Sequence, residues 1–306
     1  MNRLKGLLRS LFKETFVGLD IGEDYISAAR GSVGKNGLYE ISDFCFTEIE
    51  PGLQDGAIAS VIGKLWLKHN INTHLVYSCF RSTSLNVKYF KYPDLSEPEL
   101  RSTLLLEAEH TFQRPREELD IDWQLCGKSE GLLVAAPKED VNRHTSILRT
   151  AGLYPAAVDA GCVVLASLYL KLKSRHLQDA ECVINANNEA VDIAVIFGKG
   201  QIYPRSIYSG SVPLRDRPDF IVENIDELLR YCQFKLYRQP VKRLVMTGRL
   251  SSKSEFMTKL KNAVNIPVEL WNPLKDVKLK AGLSGAHMDM IGPVAAVSLG
   301  LALRDA

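Results

Sequence analysis

Two stretches of this chain share one order of elements, in which an apolar strand, a polar turn and a second strand follow one another. The first copy covers residues 16–31 (FVGLDIGEDYISAARG), and the second covers residues 180–210 (AECVINANNEAVDIAVIFGKGQIYPRSIYSG). Apolar and polar residues that alternate between glycine-containing turns predict meanders of antiparallel strands. Segments with helical periodicity follow each copy. Two related lobes that face one another are therefore the expected fold.

The length and the charge balance fit this expectation and exclude several classes of protein. A chain of 306 residues can bury two cores, and 46% apolar with 24% charged residues is typical of a globular protein. The net charge of +2 is too small for a dedicated nucleic-acid surface, so no nucleic acid is expected as a partner. We expect neither a membrane-spanning helix nor a signal peptide, because no long apolar run is present.

The cysteines and histidines follow no pattern of a metal site, a disulfide framework or a catalytic motif. Six cysteines are scattered without a CxxC pair, which favours reduced thiols in a cytoplasmic protein. The six histidines lack ligand spacing such as HExxH, and neither GxSxG nor a P-loop occurs. No metal ligand and no catalytic residue is predicted from these residue types.

Residues 1–15 predict a short basic amphipathic helix. Its apolar residues recur at helical spacing among four basic residues. Such a helix can lie in a membrane interface or dock on a partner protein. Gly6 and the short length weaken it, so packing against its own domain is the alternative interpretation. The apolar residues are Leu4, Leu7, Leu8, Leu11 and Phe12, and the basic ones are Arg3, Lys5, Arg9 and Lys13.

The pattern changes near Ser84, where a new series of strands and helices begins. Ser96 and Glu99 form a capping box at the start of one predicted helix, and Gly152 is placed to end the next. We predict a small inserted α/β subdomain with its own sheet. The predicted division is a helix at 1–15, a first lobe at 16–83, the insertion at 84–157, a connecting helix at 158–179, and a second lobe at 180–306 whose terminal helix closes on the core.

Asp20 and Gly22 follow the first buried strand directly. In a phosphate-binding hairpin, the carboxylate of such an Asp can hold a magnesium ion through water, and the Gly allows the backbone to approach phosphate oxygens. The same two residues also suit a plain hairpin with an acidic tip. The spacing alone leaves both interpretations open.

The segment GLDIGEDYISAAR, residues 18–30, resembles the first phosphate motif of the actin, Hsp70 and sugar-kinase superfamily. Over residues 16–304 the chain is similar to the type IV pilus assembly protein M family. The order and spacing of several segments carry this resemblance rather than any one motif. These segments are residues 132–166, the helix IDELLRYCQFKLY before the strand KRLVMTG, and the closing WNPL and VSLGLALR.

The resemblance implies an actin-like (ribonuclease-H-like) two-lobed α/β fold that holds ATP and Mg²⁺ between its lobes and carries two small inserted subdomains, one at 84–157. The nucleotide contacts that it implies are Asp20, Gly22, Asn185, Glu227 and Gly248. Asn185 belongs to the second phosphate motif, Glu227 lies near the ribose, and Gly248 begins the adenosine motif.

Three of these nucleotide motifs depart from the family pattern. Glu23 and Asp24 stand where small hydroxyl residues are usual, and each close carboxylate–phosphate pair is repulsive by roughly 1 kcal/mol in water. The second motif reads Asn185-Ala186-Asn187 instead of Asp-x-Gly, which removes a charge and adds a side chain. Arg249 replaces a second glycine and either fills the adenine position or contacts phosphate. We therefore expect MgATP to bind weakly or not at all, and ATP hydrolysis to be absent.

The resemblance implies a cytoplasmic scaffold, peripheral to the inner membrane, in a type IV pilus or related secretion platform. Its expected partners are a bitopic inner-membrane pilus protein, bound through its cytoplasmic N-terminal tail, and the assembly motor ATPases. The basic helix at 1–15 suits a peripheral contact with anionic lipid. The alternative functions are an ATPase that switches the assembly by binding or hydrolysing ATP, and a filament-forming actin homologue.

Overall fold

A computed structural model describes residues 16–33, 38–93, 95–126, 129–173, 178–197, 201–208, 210, 212–236, 239–280, 283 and 286–304. The predicted amphipathic helix at 1–15 lies outside the described residues. None of the helices in this part of the chain has the length and apolarity needed to cross a membrane.

The described residues form strands and helices in the following order along the chain. The strands are β1 (Val17–Ile21), β2 (Tyr25–Val33), β3 (Tyr39–Glu48), β4 (Leu75–Phe80), β5 (Asn86–Lys91), β6 (Leu119–Leu125), β7 (Glu130–Pro137), β8 (Tyr154–Ala160), β9 (Ala180–Ala186), β10 (Ala190–Ile196), β11 (Ile202–Tyr208), β12 (Val241–Thr247), β13 (Val268–Leu270) and β14 (Lys278–Leu279). The α-helices are α1 (Asp55–Lys68), α2 (Glu97–Phe112), α3 (Lys138–Thr150), α4 (Gly161–Lys173), α5 (Pro218–Tyr231), α6 (Ser254–Ala263), α7 (Ala286–Ile291) and α8 (Ala296–Ala302).

Two large sheets have the same topology. The first has the order β14-β3-β2-β1-β4-β8 and the second the order β11-β10-β9-β12-β13. In the first sheet β1 is antiparallel to β2 and parallel to β4; in the second, β9 is antiparallel to β10 and parallel to β12. The predicted pair of related lobes is therefore confirmed, and β1 and β9 are equivalent central strands.

The second sheet is covered on both faces, which explains why every residue of β9 and β10 is buried. Ile184 and Ile193 point to a core with Ile225 of α5 and other residues of α5 and α6. Val183 on the opposite face packs with Leu165 of α4 and with residues of α8. The sequence of a strand that is buried on both faces is a nearly continuous run of apolar residues, and this holds for β9 and β10.

The predicted insertion has its own three-stranded sheet, in the order β5-β7-β6, with α2 packed on one face. The predicted capping box is present, because the Glu99 carboxylate accepts a hydrogen bond from the Ser96 backbone N–H at 2.9 Å. Gly152 has a φ of +80° just after α3, as predicted for the residue that ends this helix. This sheet spans residues 86–137, and no separate second inserted sheet occurs among the described residues.

Two predicted boundaries need correction. Strand β8 pairs in parallel with β4 of the first sheet, so the range 84–157 extends too far, and the segment at 158–179 begins as strand before α4 starts at Gly161. The segment after β13 also returns to the first lobe. Strand β14 pairs with β3, and α8 packs on the first sheet at Gly18 of β1, so the range 180–306 is not one lobe.

Candidate functional site at the interlobe cleft

The two hairpin turns predicted to bind phosphate face one another across the cleft and are in direct contact. Asn188 Nδ2, in the β9–β10 turn, donates a hydrogen bond to Asp24 Oδ2, in the β1–β2 turn, at 2.7 Å. Asn187 Nδ2 donates to the Tyr25 hydroxyl at 3.3 Å. The strand–turn–strand units thus place both turns at one site, but the turns bind each other there.

Asp20 is fully buried at the end of β1, and protein side chains occupy both of its carboxylate oxygens. The Tyr25 hydroxyl donates to Oδ2 at 2.8 Å. Arg81, the residue after β4, forms an ion pair with Oδ1 through Nη1 and donates from Nη2 to Oδ2 at 3.3 Å. Burial, reinforced by the Asp20 charge, holds the Tyr25 pKa well above its ordinary value, so this hydroxyl is a permanent donor.

Arg81 also reaches the second hairpin. Its Nε lies 3.8 Å from Glu189 Oε1, and its Nη2 lies 3.6 Å from Asp192 Oδ2. The Arg81 side chain is only 6% exposed. One guanidinium group therefore lies among three carboxylates, of which Asp20 belongs to the first lobe and the other two to the second.

The acidic groups in this cluster outnumber its cation. Asp192 Oδ1 accepts from Ser206 Oγ at 2.7 Å, but Asp192 Oδ2 and both Glu189 oxygens have no hydrogen-bond partner among the described residues. Burial raises the pKa of Glu189 to about 7, although Arg81 opposes this shift, and burial raises the pKa of Asp192 too. Glu189 is therefore partly protonated near neutral pH, which relieves the excess of negative charge.

The two predicted glycines are both packed against protein atoms. A Cβ atom on Gly22 would lie under 3.0 Å from the Tyr25 ring, so this ring covers the side of Gly22 that would otherwise be open to a phosphate. Gly248 has a φ of +86°, and a Cβ there would lie 2.5 Å from Ala186 O and 2.7 Å from Asn185 Oδ1. Glycine is thus required at Gly248 to let the end of β12 lie on the end of β9.

Arg249 pairs with acidic residues of the first lobe. Its Nε lies 3.3 Å from Asp24 Oδ2, and its Nη2 lies 2.8 Å from Glu48 Oε1. Its backbone N–H donates to Asn187 Oδ1 at 3.0 Å. These contacts hold the Arg249 guanidinium beside the interlobe cavity, which Arg249 helps to line.

A cavity of about 750 Å³ remains between the lobes beside the paired turns, and Asp24 and Asn188 of these turns help to line it. Phe46, Ile291 and Val294 form part of its apolar wall, and Arg215 and Lys253 add positive charge. Glu227 is exposed on α5 and is not among the residues that line this cavity. The structure therefore brings Asp20, Gly22, Asn185 and Gly248 to one site, and places Glu227 elsewhere.

The residues at the turns do not fit a magnesium-bound triphosphate in this conformation. Arg81 holds the Asp20 carboxylate that was expected to face the metal, and Tyr25 covers Gly22. The described residues contain no cluster of three or more His, Cys, Asp or Glu side chains arranged to hold a metal ion. Bound triphosphate at the turns would require both side chains to move.

Sequence reasoning missed the residues that close the site, Arg81, Tyr25 and Glu189. Arg81 is 61 positions from Asp20, so no local motif links them. One signal was present in the sequence. Arg81 comes directly after the buried strand HLVYSCF, and Arg249 comes just after the equivalent strand KRLVMTG.

Comparison with known structures places this architecture in the class of actin-like ATPase folds. No protein-family model matches the chain. A chain from a structure described as the PilM-PilN type IV pilus biogenesis complex superposes with a TM-score of 0.80 at 19% identity, over 94% of this chain and 98% of that chain. The predicted resemblance to the pilus assembly family is confirmed at the level of the fold.

Two further structures support the same fold class. A Bacteroides thetaiotaomicron protein with an actin-like ATPase fold and unknown function has a TM-score of 0.53 and 17% identity, over 86% of this chain and 93% of that one. The cytoplasmic domain of EpsL, an inner-membrane component of the type II secretion system of Vibrio cholerae, has a TM-score of 0.53 and 10% identity, over 95% of both chains. The actin-like fold predicted from the sequence is thus confirmed.

Proposed function

We propose that this protein is a cytoplasmic scaffold of a type IV pilus or related secretion platform at the inner membrane, and that it acts without ATP turnover. The superposition over 94% of the chain on a component of a PilM-PilN complex supports the first part of the proposal. The cleft supports the second, because Arg81 pairs with the Asp20 carboxylate and the Tyr25 ring covers Gly22, the two residues of the first phosphate motif. Contacts with assembly motor ATPases and with the membrane surface belong to the same proposal.

The scaffold binds the cytoplasmic tail of a bitopic membrane partner at the junction of the first lobe and the small inserted sheet. At this junction Phe80 and Leu85 pack with Ala136 of β7. Ser82 Oγ donates to Asp140 Oδ2 of α3 at 3.0 Å, which ties the connecting loop to the helix. These contacts hold the two parts together, and a binding site that is already ordered lowers the entropic cost of binding an extended peptide.

The partner tail is expected to be both necessary and sufficient for binding. The full chain should co-purify with a bitopic pilus protein, and a synthetic tail peptide should bind in calorimetry while a scrambled tail of the same composition does not. The scrambled peptide separates sequence recognition from simple attraction between charges. Capture that survives deletion of the tail would show that the groove proposal is wrong.

MgATP is expected to produce no saturable heat in a calorimetric titration and no rise in the thermal midpoint. A ligand present at a hundred times its Kd stabilises the folded state by about 2.7 kcal/mol, which a thermal scan detects as a shift of several degrees. Mg²⁺ without nucleotide is the matched control. A saturable titration accompanied by such a shift would contradict the proposal.

One observation favours a second function, a nucleotide-switched ATPase. The cavity of about 750 Å³ lies beside Arg249 and is bordered by Arg215 and Lys253, which could attract an anionic ligand. Nucleotide binding would then have to draw Arg81 away from Asp20. Release of inorganic phosphate above the rate of a buffer blank, abolished by Asp20→Asn, would support this function over the scaffold.

A further inference from the structure

The two arginines of the cleft lie just after corresponding strands of the two lobes. Strands β4 and β12 each lie parallel to the central strand of their own sheet. Arg81 follows β4 directly, and Arg249 is the second residue after β12. Each of them reaches across the cleft to carboxylates of the other lobe. The two lobes thus carry a crossed pair of cations, each of which contacts the other lobe.

This pair makes the contacts between the lobes that a ligand in the cleft would otherwise make. Arg81 joins Asp20 of the first hairpin to Glu189 and Asp192 of the second. Arg81 donates hydrogen bonds to Asp20, whereas Glu189 at 3.8 Å and Asp192 at 3.6 Å are ion pairs beyond hydrogen-bond distance. Attraction between charges at such distances is stronger in a buried site than in water, because the local dielectric is low. Arg81 therefore links the two hairpins by attraction between buried charges.

We propose that Arg81 and Arg249 form an interlobe clamp that keeps the two lobes closed in the place of a nucleotide. The closed conformation is then a built-in property of the chain and needs no ligand. This inference does not rest on the pilus assignment, since it concerns only the cleft and would hold for a scaffold in any assembly.

The two arginines contribute unequally to the clamp. Arg81 is 6% exposed, whereas Arg249 is 25% exposed and its partner Glu48 is 70% exposed. Ion pairs between exposed groups are weak and are screened by salt, whereas buried ones are screened much less. Arg81 is therefore expected to stabilise the closed conformation more than Arg249 does. The contribution of Arg249 is smaller and weakens as the salt concentration rises.

Amide hydrogen exchange of the full chain tests the clamp. Arg81→Ala is expected to speed exchange at both turns, residues 21–25 and 186–190, by at least about tenfold, since the attraction between buried charges less than about 4 Å apart shifts an equilibrium by at least this order. Arg249→Ala should give a smaller effect that disappears in high salt. Arg30→Ala is the control, because Arg30 pairs with Asp43 inside the first lobe and should leave both turns unchanged.

Arg81→Ala leaves buried carboxylates without their cation, and the variant could fail to fold for that reason. A second variant then still tests the clamp. Arg81→Met combined with Asp20→Asn and Glu189→Gln removes the cation and two of its counter-charges together. This triple variant should fold and still exchange rapidly at both turns. Added guanidinium, compared with an equal concentration of sodium chloride, should slow exchange in Arg81→Ala by filling the vacated position, and should not do so in the triple variant.

The outcomes separate the clamp from a purely local role of Arg81. Faster exchange at both turns, rescued by guanidinium, supports the proposal. Wild-type exchange rates at the second turn in the triple variant would overturn it, because Arg81 would then act within its own lobe alone. Protection of the wild-type turns by MgATP would overturn it as well, because a nucleotide would then close the cleft.

Discussion

Replacing Gly18 by alanine is expected to lower the free energy of unfolding by at least about 3 kcal/mol, because α8 could no longer lie against β1. A Cβ atom at this position would come under 3.0 Å from the Ser298 carbonyl oxygen and from the Ala302 backbone nitrogen. Both are backbone atoms of a buried helix and cannot rotate away. Urea unfolding followed by circular dichroism gives the midpoint and the free energy.

Gly63→Ala is the matched control for this experiment. Gly63 lies inside α1, and no heavy atom lies within 4 Å of the Cβ that the substitution adds. Alanine inside a helix is better than glycine by roughly 0.5–1 kcal/mol, so this variant should gain stability slightly. Equal losses in both variants would show that the close approach of α8 to β1 is not what makes Gly18 necessary.

Glu189→Gln is expected to stabilise the protein at pH 8 and to have little effect at pH 4.5. The folded-state pKa of Glu189 is raised from 4.5 to about 7, chiefly by burial. A carboxyl group with a raised pKa binds more protons in the folded state, so its contribution to stability is present below pH 4.5 and is lost as the pH rises through 7. A pKa shift of this size corresponds to roughly 3 kcal/mol of folding stability lost at high pH. The uncharged amide of the Glu189→Gln variant would not incur this loss.

The pH dependence must be read as a difference between variant and wild type. His144 has its pKa lowered from 6.5 to about 4 by burial, and its contribution to stability changes in the opposite direction over the same pH range. Subtracting the wild-type curve removes that effect and isolates Glu189. Glu223→Gln, at an exposed position of α5, is the control for the loss of one carboxylate outside the cleft. A flat difference curve for Glu189→Gln would contradict the assigned burial of this carboxyl.

The duplicated fold could be predicted because the signal for it is local. Periodicity, turn residues and the capping box at Ser96 each report on a few neighbouring residues, and β9 and β10 are visible as apolar runs. The boundary at β8 could not be found in this way. Its sequence YPAAVDA shows no clear alternation of apolar and polar residues. The segment is a strand because it pairs in parallel with β4, which is distant in the sequence.

The sequence indicated which turns would meet at the cleft, but not which side chains would pair there. Asp20, Gly22 and Asn185 mark the turns because their residue types report on backbone geometry and charge. The ion-pair partner of Asp20 is Arg81, which is 61 positions away in the sequence. Only the fold brings the two residues together. A departure from a motif, such as Asn187 in place of glycine, shows that the motif's original ligand is disfavoured. It does not show which side chain has taken the ligand's place.

The return of the chain to its first sheet has a consequence for synthesis on the ribosome. Strand β14 pairs with β3 and α8 covers β1, yet both emerge only after all of the second lobe has been translated. The second sheet draws on β9 to β13, which follow one another along the chain, so it can form as soon as it leaves the exit tunnel. The lobe that is made first is therefore expected to be completed last, after the second lobe has been made.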